Sequence, residues 1–218
     1  MIEIYLFVNP IGKLCLQAEQ DILALVEKEH KDKSIQFRFI PLLNLRTING
    51  LIQQLQIPRN DLEQRNRLFE TIYSAALDYK AVQLQGKKKG RAFLLALQAQ
   101  VDRKGTNYTP ELVERLVKET GADWEMFQSD RASEFVRESF QADQQIAREM
   151  GITKHPSAVI YNYACERDYG VLLEDYHTIE ELAVLCETTE ETYHTFHDDT
   201  PLSAANERRV AHRHLRLV

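Results

Sequence analysis

The sequence predicts an α/β fold in which a small sheet, built from both ends of the chain, is interrupted by a long helical insertion. Two observations predict it. Strand-type alternation occupies residues 1–8 and 35–41 and returns after Gly151, while the stretch from about 45 to 150 repeats with helical period. A helix also joins the first two strands, and a crossover helix favours parallel pairing within an α/β sheet. The chain accordingly divides into residues 1–44 (strand, helix, strand), 45–150 (helical insertion), 151–188 (strand, strand, helix) and 189–218 (a polar C-terminal tail).

Each element follows from its pattern. Ile2, Ile4, Leu6 and Val8 fall on one side of the first segment and Tyr5 and Phe7 on the other, so that only Glu3 interrupts two apolar faces. Such a strand belongs inside a sheet. From Gly12 onward Leu14, Cys15, Ala18, Ile22, Leu25 and Val26 recur at helical spacing between Glu19, Asp21, Glu27 and Lys28, an amphipathic helix of about five turns. Ile35, Phe37 and Phe39 then alternate with Gln36 and Arg38 until Pro41 stops the ladder, the mark of a half-exposed or edge strand.

In the insertion, helical spacing runs through Leu62–Ala76, Ala92–Val101, Leu112–Val117 and Phe135–Met150. Thr109 caps one of these helices and Pro110 occupies its first turn, where a missing N–H costs nothing. Gly121 and Gly151 close helices. Beyond Gly151, Ser157–Tyr161 and Val171–Leu173 read as strands, and Ile179–Cys186 reads as a closing helix with Thr178 and Glu181 as its capping box. The segment from 189 has few large apolar residues and is expected to pack weakly or move.

Composition narrows the function classes. With 218 residues, 44% hydrophobic and 28% charged, the chain has the profile of a soluble protein long enough to bury a sizeable core. Three cysteines, an odd number at irregular spacing, argue against a cystine scaffold and for a reducing, cytoplasmic setting. The opening run MIEIYLFV lacks a basic leader and is too short to cross a bilayer, so it reads as structure, with no membrane partner. A net charge of −6 disfavours nucleic acid as the main partner. The cysteines and histidines show no metal-ligand spacing, and no cofactor is expected.

The candidate chemistry sits at the first strand–helix junction, Phe7-Val8-Asn9-Pro10-Ile11-Gly12-Lys13-Leu14-Cys15-Leu16, and at Asp143–Pro156, which ends Gly151-Ile152-Thr153-Lys154-His155-Pro156. Together with the element order, these segments resemble DsbA-like proteins of the thioredoxin fold over roughly residues 1–188. The resemblance implies an Asp-Pro-x-Cys-x-x-Cys stretch in which Gly12 takes the place of the first cysteine and Cys15 that of the second. It also implies a cis bond at His155-Pro156, where the preceding backbone pairs with an extended partner. Propensity alone would favour an ordinary trans proline there.

The missing sulfur decides much of the chemistry. A thiol at a helix N-terminus is acidified by the helix dipole and becomes the attacking nucleophile, and the second thiol resolves the mixed disulfide. Gly12 has no thiol, so a dithiol–disulfide cycle at this position is chemically excluded. Cys15 lies on the apolar face of its helix and is either an inert buried thiol or a reactive one. Cys165, in a polar turn, reads as more exposed, and Cys186 as a packing residue. His155 has no nucleophile or orienting carboxylate assigned to it as a general base. What the resemblance then implies is a degenerate redox site, Gly12 and Cys15, within a candidate docking surface of Asn9, Pro10, Gly12, Lys13, His155 and Pro156.

Two basic features stand apart: Lys87-Lys88-Lys89-Gly90-Arg91 at a helix start, and Arg208-Arg209-Val210-Ala211-His212-Arg213-His214 in the tail. Either a solvated surface or an acidic partner accounts for them. With its degenerate site, the chain resembles the SpxH (YjbH) group of DsbA-like proteins, cytoplasmic adaptors of Gram-positive bacteria. The resemblance implies binding of the stress regulator Spx and its delivery to the ClpXP protease, with Spx and ClpX as partners. The alternative is a monothiol or glutathione-handling oxidoreductase that uses Cys15. A polyketide-type isomerase of the same fold lacks a visible catalytic group.

Overall fold

The computed structural model describes residues 1–29, 34–58, 60–101, 105–163, 169–174 and 208–211. Five strands, β1 (Ile2–Val8), β2 (Ile35–Pro41), β3 (Ser157–Asn162), β4 (Tyr169–Glu174) and β5 (Arg208–Ala211), form one sheet in the order β2-β1-β3-β4-β5. β1 and β2 are parallel, joined through helix α1 (Lys13–Glu29), and every other pairing is antiparallel. β1 lies inside the sheet between β2 and β3 and has apolar packing on both faces, which accounts for its two-faced pattern, and the half-polar β2 is an edge strand. β5 lies within the expected polar tail. A polar segment can extend a sheet because the ladder is made by backbone groups. The expected closing helix at 179–186, together with Cys165, Cys186 and residues 189–207 and 212–218, lies outside the described residues.

Six helices intervene between β2 and β3: α2 (Leu45–Gln54), α3 (Leu62–Leu84), α4 (Lys87–Gln100), α5 (Pro110–Glu119), α6 (Trp124–Ala132) and α7 (Glu134–Glu149). Thr109 caps α5 as its sequence predicts, with its hydroxyl accepting from the Leu112 N–H. Gly121 and Gly151 follow α5 and α7 at φ of 71° and 70°, the left-handed conformation that favours glycine past a helix end. None of the described helices is long and apolar enough to cross a membrane.

Strand alternation sends side chains to two cores. Ile2, Ile4, Leu6 and Val8 of β1, with Ala158 and Ile160 of β3, pack against Cys15, Ala18 and Ile22 of α1 and against the insertion, including Leu68, Ile72, Phe93 and Leu97. Phe7, Val159, Tyr161 and Leu172 point the other way, onto Ala147, Met150 and Ile152. The insertion thus shares a continuous apolar core with the sheet.

Polar ties fix that docking. Gln144 of α7 accepts from the Leu43 N–H at 2.9 Å and donates to the Pro41 carbonyl at 2.7 Å, which holds the end of β2. Asp143, fully buried, receives Arg38 Nη2 of β2 at 2.6 Å and Lys80 Nζ of α3 at 2.8 Å. The Lys80 side chain is only 4% exposed. Removing its partner therefore strands an ammonium group away from water. Asp143→Ala is expected to destabilise the protein by about 3–5 kcal/mol in urea titration, and Asp143→Leu combined with Lys80→Met by substantially less.

Candidate functional site

β1 delivers the chain to Asn9, whose polar groups organise the turn into α1. The Asn9 N–H donates to Cys15 Sγ at 3.2 Å, and Asn9 Oδ1 accepts from the Ile11 N–H at 3.1 Å. Its carbonyl accepts twice, from the Gly12 N–H at 2.9 Å and from Nε2 of Gln98 on α4 at 3.1 Å. The turn is therefore fixed both by its own helix and by the insertion. α1 then starts at Lys13, with the Leu16 N–H donating to the Gly12 carbonyl.

Cys15 faces inward, 1% exposed. Burial pushes its thiol well above the ordinary cysteine range; the nearby Glu19 carboxyl adds to the rise and the Asn9 N–H opposes it. Across the turn, Sγ stands 3.8 Å from His155 Nδ1. Desolvation pulls the His155 pKa down to about 4. A neutral thiol therefore meets a neutral imidazole at physiological pH, and no thiolate–imidazolium pair forms. The inert reading of Cys15 is the one its surroundings favour. Sequence reasoning assigned no partner to His155, because the two residues are 140 positions apart.

A cleft of about 320 Å³ opens over this pair. Of the candidate residues, Asn9, Gly12, Lys13, Cys15 and His155 line it. Pro10 and Pro156 are buried and are not among the lining residues, although the His155-Pro156 bond is cis as the resemblance implies. The apolar walls come from residues the sequence did not single out: Ile11 and the exposed Leu14, and Leu51 of α2 with Leu55 just past its end, Gln54 beside them. No group of three or more His, Cys, Asp or Glu able to hold a metal occurs among the described residues.

Behind the cleft, one turn beyond Cys15, Glu19 is fully buried and accepts from Gln98 Nε2 at 2.7 Å. The same amide nitrogen thus contacts both the Asn9 carbonyl and Glu19. Burial raises the Glu19 pKa to about 8, a shift partly offset by the Gln98 hydrogen bond. Glycine at position 12 is equally telling. A Cβ placed there would lie 3.2 Å from Cys15 Sγ and 3.0 Å from Asn9 Cβ. Across a disulfide of standard geometry, one Cβ stands roughly 3 Å from the far sulfur. The backbone thus holds the spacing that a disulfide between positions 12 and 15 would need.

A parallel β1–α1–β2 unit, an antiparallel continuation, a long helical insertion between them and a cis proline beside the α1 N-terminus together define a thioredoxin fold of DsbA type. The chain belongs to the thioredoxin family: a family model described as "Thioredoxin" matches residues 5–184. Among relatives, the ClpXP adapter protein SpxH of Staphylococcus saprophyticus is 33% identical over 161 residues, covering 74% of this chain and 56% of that protein. The chain spans little more than half the length of that relative. Among solved structures, oxidoreductase DsbA from Xylella fastidiosa superposes with a TM-score of 0.53 at 12% identity, over 91% of this chain and 87% of that one. The thiol-disulfide exchange protein alpha-DsbA2 from Wolbachia pipientis gives 0.54 at 15% identity, over 85% and 82%. At these identities the two structures speak for the fold alone.

Two measurements check the site. In a variant with Cys165 and Cys186 replaced by serine, Cys15 is expected to react with a small alkylating agent at neutral pH at least about tenfold more slowly in the folded protein than in urea. Introducing Gly12→Cys is expected to yield, after mild oxidation, a bond between positions 12 and 15 that peptide mapping detects, with Asn9 giving way by a few tenths of an ångström.

Proposed function

We propose that the protein is a cytoplasmic adaptor that binds the transcription regulator Spx and promotes its degradation by the ClpXP protease without redox turnover. One observation carries this reading: a cleft opens over the β1–α1 turn of a thioredoxin fold, where Gly12 offers no sulfur and the lining thiol, Cys15, is buried beside a neutral imidazole. An adaptor requires a docking surface and no catalytic cycle. The similarity to proteins named ClpXP adapter protein SpxH supports the same assignment. In this reading the partner docks across Asn9, Gly12, Lys13 and His155, with Leu14 at the mouth of the cleft.

The proximity of Cys15 Sγ to His155 favours a second reading, a monothiol oxidoreductase, because an imidazole next to a thiol is a common means of activating it. The neutral state of both groups weighs against it.

Pull-down with purified Spx, and Spx degradation by ClpXP with and without this protein, test the proposal. Complex formation and faster degradation are the expected result; absence of both would sink the adaptor reading. Leu14→Asp, at a side chain 55% exposed, is expected to weaken the complex about tenfold or more while leaving the thermal midpoint unchanged. Cys15→Ala is expected to retain full adaptor activity, whereas its loss would favour the thiol-based reading.

A further inference from the structure

Five polar oxygen and nitrogen atoms meet beneath the cleft, and their hydrogen bonding is incomplete if Glu19 is ionised. Gln98 Nε2 gives its hydrogens to Glu19 Oε1 and the Asn9 carbonyl. Glu19 Oε2 and Gln98 Oε1, both buried, then have no partner. Two adjacent side chains each leave an acceptor orphaned, and an unsatisfied buried acceptor is destabilising. A single proton on Glu19 Oε2 would supply the missing donor for Gln98 Oε1. The acid and the amide would then form a cyclic pair with two parallel hydrogen bonds.

We propose that Glu19 is protonated in the folded protein at neutral pH and that, through Gln98, this proton latches the Asn9–Gly12 turn that floors the cleft. The surroundings agree. Among the described residues no cation pairs with Glu19. The ionisable groups whose charge couples to it are the Cys15 thiol on its own helix and the Tyr79 phenol on α3, both neutral when protonated. From α4, Gln98 faces it, while Arg91 of that helix stands over the Phe37 ring, 4.8 Å from its centroid. From the β1–α1 turn it meets only the Asn9 backbone, by way of Gln98. Loss of the proton would set a carboxylate against the Gln98 carbonyl oxygen, and the amide that tethers the Asn9 carbonyl would have to move.

The folded state keeps this proton to higher pH than an unfolded glutamate does. Stability is therefore full at and below the ordinary glutamate value and falls as pH rises toward about 8. Over that window the unfolding equilibrium constant is expected to rise by up to about tenfold per pH unit. Glu19→Gln supplies a permanent N–H donor to Gln98 Oε1 and is expected to remove Glu19's share of the pH dependence while leaving the shares of Asp78 and His155. Two readouts decide the matter. Infrared difference spectra at pH 7 between the parent and Glu19→Gln should show the carbonyl band of a protonated carboxyl in the parent alone; buried Asp78 cancels in the difference. In the parent itself, the Ile11 and Gly12 amide resonances should shift together as that band disappears at alkaline pH. Absence of the band at pH 7 would overturn the proposal. A band that titrates without any movement of the turn resonances would equally overturn the latch. If Glu19→Gln does not fold, the band and the resonances of the parent still decide between these outcomes.

Discussion

Four hydrogen bonds converge on Asn9, and the geometry of the site depends on them. Its N–H steers Cys15 Sγ, its side-chain oxygen holds Ile11, and its carbonyl is shared between Gly12, just before α1, and Gln98 of α4. Where α1 begins, how deep Cys15 sits and where the cleft floor lies are therefore set together. The tie to Gln98 is the consequential one, because it makes a helix of the insertion responsible for the shape of a turn between β1 and α1. The insertion is a structural part of the site even though it contributes none of the expected redox residues.

Three buried carboxyl groups show how differently burial can be balanced. Asp143 lies between Arg38 and Lys80, and Asp78 accepts from Arg131 Nε at 2.5 Å and from the Tyr108 hydroxyl. Both join separate elements through charge compensation, the arrangement that makes a buried ion tolerable. Glu19 has an amide where the others have cations. Placing the uncompensated group beneath the cleft, and the compensated ones at helix–sheet and helix–helix junctions, separates the parts of the fold that must be rigid from the part whose protonation can change.

Periodicity made much of this legible. β1, α1, β2, the long helices of the insertion and β3 each buries a regular apolar pattern, whereas the pairing of Gly12 with Cys15 comes from the resemblance to DsbA-like proteins and not from periodicity. Other elements left weaker traces. The start of α2 is capped by Asn44, with Thr47 returning the hydrogen bond in place of the usual Glu or Gln, and short α6 buries little besides Phe127. Glu19 and Gln98 look like solvated helix positions, because a polar residue reports its burial only once a second helix, 79 positions away, closes over it. The same holds for His155 and Cys15. Leu51 and Leu55 read as ordinary apolar helix residues, and nothing local distinguishes a cleft wall from a core.

The pairing of β1 with β3 sets Phe7 opposite Ser157 and so brings the Asn9–Cys15 turn to His155. During synthesis, a ribosome releases β1, α1 and β2 long before it has made β3, so one side of β1 has no strand partner while the whole insertion is being produced. The cleft is therefore completed by β3 and is not a property of the β1–α1–β2 unit alone. A partner that touches both the Cys15 turn and His155, 140 positions apart, meets only molecules in which β3 has already paired with β1.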